Sequence, residues 1–166
     1  MTKKKKIITI IKKLKIIYKE EGWAEKIYKM KIIPEISDYS DIYTDSYHPK
    51  YLFTKDDYYY CSGNGNNHFI EFDFSKEYYF IEVKITFSEK YKSCKPKICK
   101  IQIFDMKKRL TQETKFVCEL EDKYICMELF KVKARYIKFI FTENLGGGYI
   151  VIKKMEFYRY NLASIE

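Results

Sequence analysis

Apolar and polar positions alternate most regularly across residues 67–87, NHFIEFDFSKEYYFIEVKITF. Ile70, Phe72 and Phe74 alternate with Glu71 and Asp73. Tyr79, Ile81, Val83, Ile85 and Phe87 alternate with Glu82, Lys84 and Thr86. A period of two gives one wet and one buried face, and predicts two strands joined by a short polar turn, in an antiparallel sheet on a core. Further strands are predicted at 98–104, 116–120, 125–129, 135–141 and 153–158, with turns at 93–96, 106–114 and 121–123. About eight short strands, with no clear helix after residue 35, predict a sandwich or jelly roll.

The N-terminal stretch has a different period. Ile7, Ile10, Ile11, Leu14, Ile17 and Tyr18 fall on one face of a helix, with Thr9, Lys12, Lys13 and Lys19 on the other. The same isoleucine-rich run also has strand propensity. Gly22 is a stop signal, a second short helical piece is predicted from Trp23 to about Lys31, and Pro34 closes the region. Residues 35–66 read as a loop-rich entry, with turn chemistry at Asp45-Ser46 and His48-Pro49 and a tight SGNGNN loop at 62–67. The expected organisation is a basic helical arm over 1–33, a β-domain over 34–160 and a tail over 161–166.

Charge sharpens that division. The 166 residues carry a net +9, yet residues 1–31 hold 11 Lys against 3 Glu, and residues 32–166 hold 21 Lys and Arg against 20 Asp and Glu. A basic block of this kind is either a grip on a polyanion or a solubilising tail. The abundance of Lys, Ile and Tyr also matches AT-rich coding, so single lysines carry little weight. The five cysteines, at 61, 94, 99, 118 and 126, are odd in number and form no CxxC ligand pattern, and Cys99, Cys118 and Cys126 fall inside strand patterns, which points to reduced thiols in the cytosol or nucleus, with the cytoplasm the expected location. The run at 7–11 is too short for a signal peptide, and no stretch approaches the ~20 apolar residues of a membrane span.

The order of the pieces is specific. Ile70-Glu71-Phe72-Asp73-Phe74, then Ala134-Arg135-Tyr136-Ile137-Lys138, then Met155-Glu156-Phe157 in the last strand resemble the discoidin, or coagulation factor type C, domain. The resemblance covers about residues 35–160 and implies an all-β, discoidin-like β-jelly-roll sandwich of the galactose-binding-like superfamily, here with a basic N-terminal helical arm. Secreted members carry Trp where Tyr60 stands and close their ends with a disulfide, whose cysteines are missing here. The chain is more similar to the intracellular branch, which includes muskelin, the Doc subunit of the anaphase-promoting complex and the nuclear receptor 2C2-associated protein. The closing FTENLGGGYIVIKKMEFY is most similar to the last of these, a small stand-alone domain with a microsporidian relative that is a ribosome-bound dormancy factor.

That resemblance implies a non-enzymatic ribosome-associated dormancy factor, blocking translation by occupying a site such as the tRNA exit site. Lys3, Lys4, Lys5, Lys6, Lys12, Lys13, Lys15 and Lys19 would then neutralise rRNA phosphates. Loops at one end of the barrel are the other candidate contacts, through Asn64, Asn66, Asn67, Lys90, Lys92, Lys95 and Asn144. Asn and Gly are also what tight turns require. Gly146-Gly147-Gly148 could cradle a phosphate on its amides but lacks the rest of a P-loop. His48 and His68 have no ligand-spaced neighbours, Asp56 and Asp57 alone make a poor calcium site, and Tyr58-Tyr59-Tyr60 offers stacking surface or core. No acid–base pair, activated nucleophile or metal cluster can be assembled, so no catalytic residue, metal, cofactor or small-molecule substrate is expected. The ribosome is the expected partner, with no membrane and a monomer outside that complex. A ligase adaptor of the Doc and muskelin kind, binding protein through the loops, and a carbohydrate-binding module are the alternatives.

Overall fold

The computed structural model describes residues 29–54, 57–127, 129 and 132–160. The lysines expected to grip rRNA, the helix expected over 7–19, the tail at 161–166 and Asp56 lie outside them. Ten strands follow in order: β1 (Lys29–Ile32), β2 (Glu35–Tyr39), β3 (Tyr60–Cys61), β4 (His68–Thr86), β5 (Pro96–Phe104), β6 (Leu110–Val117), β7 (Tyr124–Met127), β8 (Val132–Asn144), β9 (Val151–Ile152) and β10 (Lys154–Tyr160). Helical content among the described residues is limited to 3₁₀ turns at Asp45–Tyr47, Pro49–Phe53 and Lys92–Cys94. No helix among them is long and apolar enough to cross a membrane.

Eight strands form one antiparallel sheet in the order β1-β10-β4-β8-β5-β6, with β2 and β7 also paired to β4, while β3 and β9 form a separate pair. The spine is β4. Its first half, His68 to Asp73, lies between β2 and β8, and its end, Val83 to Thr86, lies between β10 and β7. The residues expected to form two strands and a turn are therefore one strand that exchanges neighbours on the way. Asp73 faces Tyr136 and Tyr78 faces Ala134, so four residues on β4 stand against one on β8. This bulge absorbs Ser75, whose φ of 68° is left-handed and whose amide donates to Asp73 Oδ1 (2.8 Å). Arg135, the single residue opposite, grips Asp73 through Nε and Nη2 (3.0 and 3.3 Å). A hairpin would have reversed the chain; the bulge lets it run on and bend.

The core fills the space that this bend encloses. Ile70, Phe72 and Phe74 from the first half of β4, Val83 and Ile85 from its second half and Phe87 just beyond its end share it with Cys99, Ile101, Ile103, Ile137, Phe139, Phe141, Met155 and Phe157. Phe72 meets Phe139 and Phe157 edge-on, at 5.7 and 5.1 Å between ring centres.

Other expectations shift at the edges. Residues 29–31, expected at the end of a helical piece, begin the sheet: β1 pairs with β10 from Lys29↔Tyr160 to Ile32↔Phe157, ahead of the boundary expected at 34. Glu35–Tyr39, read as loop, is a strand on β4, mostly exposed and therefore free of an apolar alternation. The turn expected over 106–114 is shorter. Asp105 Oδ1 accepts the amides of Lys107 and Arg109 (both 2.9 Å), and β6 already begins at Leu110. Polar residues there had suggested a loop, but β6 is an edge strand that buries only Phe116.

Candidate functional site

Four loops meet at one end of the jelly roll, and backbone hydrogen bonds tie them together. The Gly63 amide donates to the Asp41 carbonyl (2.7 Å), Tyr43 to Cys61 (3.0 Å) and Gly65 to Gly148 (3.2 Å). Leu145 donates to Lys95 (3.2 Å) and Gly147 to Ser93 (3.0 Å). Gly147 is required by close approach, since a Cβ there would lie 2.5 Å from Cys94 Sγ. The phosphate cradle considered for Gly146-Gly147-Gly148 is already spent in part: the Gly146 amide is taken by Asn144 Oδ1 (2.8 Å) and that of Gly147 by Ser93.

Tyrosines knit the loops on the outside. Tyr43 contacts Tyr47 and Tyr149 (5.5 and 5.3 Å between ring centres), Tyr47 contacts Tyr59 (5.2 Å), and Tyr59 contacts Tyr91 (5.6 Å). Burial, then the neighbouring Tyr91 and Tyr47 hydroxyls, push the Tyr59 phenol up. Beneath them Cys61, Cys94 and Val151 pack as a small second core. The Cys61 thiol is pushed up to about 11, first by burial and then by Cys94. Cys99 and Cys118 are likewise buried and raised, and Cys126 alone is exposed.

Between these loops opens a recess of about 740 Å³, lined by the 38–45 segment, including Asp38, Tyr39, Asp41, Tyr43 and Asp45, and by Gly63, Asn64 and Tyr149. Tyr39 and Tyr43 remain exposed at its rim. No ion pair among the described residues involves Asp38, Asp41 or Asp45, whereas carboxylates elsewhere are widely paired, as in Glu71–Lys108, Asp73–Arg135, Glu77–Lys133 and Glu143–Lys97. The recess thus offers uncompensated carboxylates, an amide and aromatic faces.

Both histidines are structural. His68 is buried and bridges three segments, with Nδ1 3.1 Å from Ser40 Oγ and Nε2 3.2 Å from the Asn64 carbonyl. A carbonyl only accepts, so the Nε2 proton points to Asn64. His48 caps the turn at Pro49–Phe53: its Nδ1 accepts the Lys50 amide (3.0 Å). Burial and then Lys50 lower its pKa, and Asp45 opposes them. Among the described residues no three His, Cys, Asp or Glu side chains converge as a metal site.

The expected loop contacts divide. Asn64 lines the recess. Asn66 and Asn67 are exposed on the same loop, Asn67 with a left-handed φ of 64°. Lys90 and Lys92 are exposed on the 87–95 loop, where Lys90 lies over Tyr91 and Lys92 pairs with Glu121 (3.5 Å). Asn144 is occupied by the Gly146 amide. Lys95 is a correction. It is only 3% exposed, and its ammonium donates to the carbonyls of Leu120, Asp122 and Glu119, so it fastens two loops rather than reaching a partner. Asp38, Asp41, Tyr43 and Tyr149 were missed. Their signal was charge: the 44 positions 32–75 hold two lysines, Lys50 and Lys55, against eight acids.

No family model and no curated protein matches the chain. Solved structures do. The lectin domain of lectinolysin, complexed with Lewis b, matches with a TM-score of 0.65 at 11% identity, over 77% of this chain and 93% of that one. A Streptococcus pneumoniae fucose-binding module matches at 0.62 and 12%, over 78% and 96%. A chitosan-binding module of a Paenibacillus chitosanase/glucanase matches at 0.62 and 14%, over 76% and 95%. At these identities the likeness establishes the fold. The domain has a discoidin-like (galactose-binding-like) jelly-roll fold.

Proposed function

We propose that the chain is a non-catalytic recognition module that meets its ligand in the recess at the loop end of the jelly roll. The observation that carries this is the set of unpaired carboxylates, Asp38, Asp41 and Asp45, beside the exposed rings of Tyr39 and Tyr43. Carboxylates and an amide accept and donate hydrogen bonds to hydroxyls, and a tyrosine face covers the apolar side of a sugar ring. A saccharide is therefore the ligand class that suits the recess, and a polyanion suits it poorly. The fold likeness to modules that bind Lewis b, fucose and chitosan supports this reading. Calorimetric titration with fucosylated and amino-sugar oligosaccharides tests it. Binding is expected to weaken about tenfold or more in Tyr43→Ala and in Asp41→Asn, each removing one contact of ~1.5 kcal/mol. Absence of binding to every saccharide, or binding indifferent to both substitutions, would sink it.

A second reading rests on the arm. Its 11 Lys against 3 Glu over residues 1–31 favour a polyanionic partner, and together with the resemblance of the closing segment to the intracellular branch they suit a cytoplasmic, ribosome-associated dormancy factor. The lysines would hold rRNA, the jelly roll would occupy a functional site such as the tRNA exit site, and the acidic recess would face a basic ribosomal protein rather than RNA. Sedimentation of extract at low salt separates the readings: the protein travels with ribosomes in this case and stays at the top of the gradient in the first. Nuclease-resistant recovery with ligase subunits would favour the adaptor alternative over both.

A further inference from the structure

The exposed aliphatic side chains are gathered in one place. Met106, Leu110, Val117 and Leu120 are 48–60% exposed, and all lie on β6 or the turns flanking it; Ile33 is the other one among the described residues. The same strand is an open edge, bonded to β5 on one side and to no described strand on the other. Open edges with apolar flanks pair with other strands unless something prevents it.

The strand is also complementary to itself. Glu113 and Lys115 both lie on its exposed face. Laid antiparallel to a second copy about Thr114, β6 sets Glu113 opposite the second copy's Lys115, and symmetry repeats the pair. The same arrangement brings the Val117–Leu120 end of one strand against the Met106–Leu110 end of the other. Within one chain Lys115 has no ion-pair partner among the described residues, while Glu113 lies 3.7 Å from Lys100 and accepts from Gln102 (2.9 Å).

We infer that β6 is a self-association surface, on which two copies pair strand to strand across a twofold axis and continue the sheet. A contact made by one short strand falls below the ~1,200 Å² of stable interfaces, so the dimer is weak and concentration-dependent. This departs from the monomer expected on sequence grounds.

Sedimentation velocity of the nucleic-acid-free full chain, from dilute to concentrated solution, tests it. The mass is expected to rise toward that of a dimer. Glu113→Lys and Lys115→Glu each set like charges opposite one another twice, and each weakens the dimer about tenfold or more. Combining the two restores opposite charges and recovers dimerisation. Should Glu113→Lys unfold through loss of its Lys100 contact, Lys115→Glu and Val117→Lys, both solvent-facing, carry the same test. A monomer at every concentration, a dimer indifferent to these substitutions, or a folded double variant without recovery overturns the proposal.

Discussion

Two side chains show how burial decides what a residue does here. The Tyr60 hydroxyl is buried and has no hydrogen-bond partner among the described residues. Burial pushes its phenol well up, Cys61 adds to this, and the Ser40 hydroxyl, nearby but outside hydrogen-bond geometry, eases it least of the three. An unpaired buried hydroxyl costs more than it returns, so Tyr60→Phe should leave stability unchanged or raise it by about 1 kcal/mol in denaturant unfolding. Lys95 is the opposite case. Its ammonium satisfies carbonyls of the 119–122 turn from a buried position. Lys95→Met keeps the stem but orphans those carbonyls, and should lower stability by about 2–4 kcal/mol in the same measurement. The sequence marked Tyr60 as an unusual position but placed Lys95 at the surface, where lysines ordinarily are. Nothing local in Ser-Cys-Lys-Pro announces acceptors 24 to 27 residues away.

At the scale of elements, β4 holds the lesson. Its apolar core positions are even up to Phe74 and odd from Val83, and this change of parity is visible in the sequence. A hairpin and a bulge both produce it. What selects the bulge is the partner strand β8, which arrives some sixty residues later with Arg135 opposite the bulge and bonded to Asp73. Burial alone would raise the Asp73 carboxyl. The Arg135 guanidinium and the Ser75 amide outweigh it and hold the carboxyl below the usual carboxylate range. A carboxyl depressed in the folded state contributes stability above its unfolded pKa and loses it as pH falls through the folded value. Thermal unfolding of the wild type should therefore weaken below about pH 4. Asp73→Asn should be less stable at neutral pH and show a flatter acid limb. An unchanged acid limb would detach Asp73 from the acid sensitivity.

At the scale of the whole molecule, charge is divided into three territories: a net +8 over residues 1–31, −6 over 32–75 and +7 over 76–166. The first was legible at once because it is a run. The second was hidden because its acids are spread among tyrosines and serines that resemble ordinary turns, and only the fold gathers Asp38, Asp41 and Asp45 around one recess. The strand pattern was legible along β5, β8 and β10, where alternate residues are buried, was missed at the edges β1 and β2 and over most of β6, where little is buried to enforce an alternation, and was missed in the buried pair β3 and β9, where two residues are too few to show a period. This division yields a test of the arm. Residues 1–19 contain eight lysines and no acid, so removing them takes the chain from +9 to +1. All the described strands begin at Lys29 or later. Deletion of 1–19 should therefore leave the melting temperature nearly unchanged and abolish retention on a polyanion column at moderate salt, because phosphate-type binding falls steeply as cations are removed. Saccharide binding in the recess should survive the same deletion. A truncated chain that unfolds would make the arm part of the core; one that keeps its grip on the column would move the polyanion surface to residues 76–166.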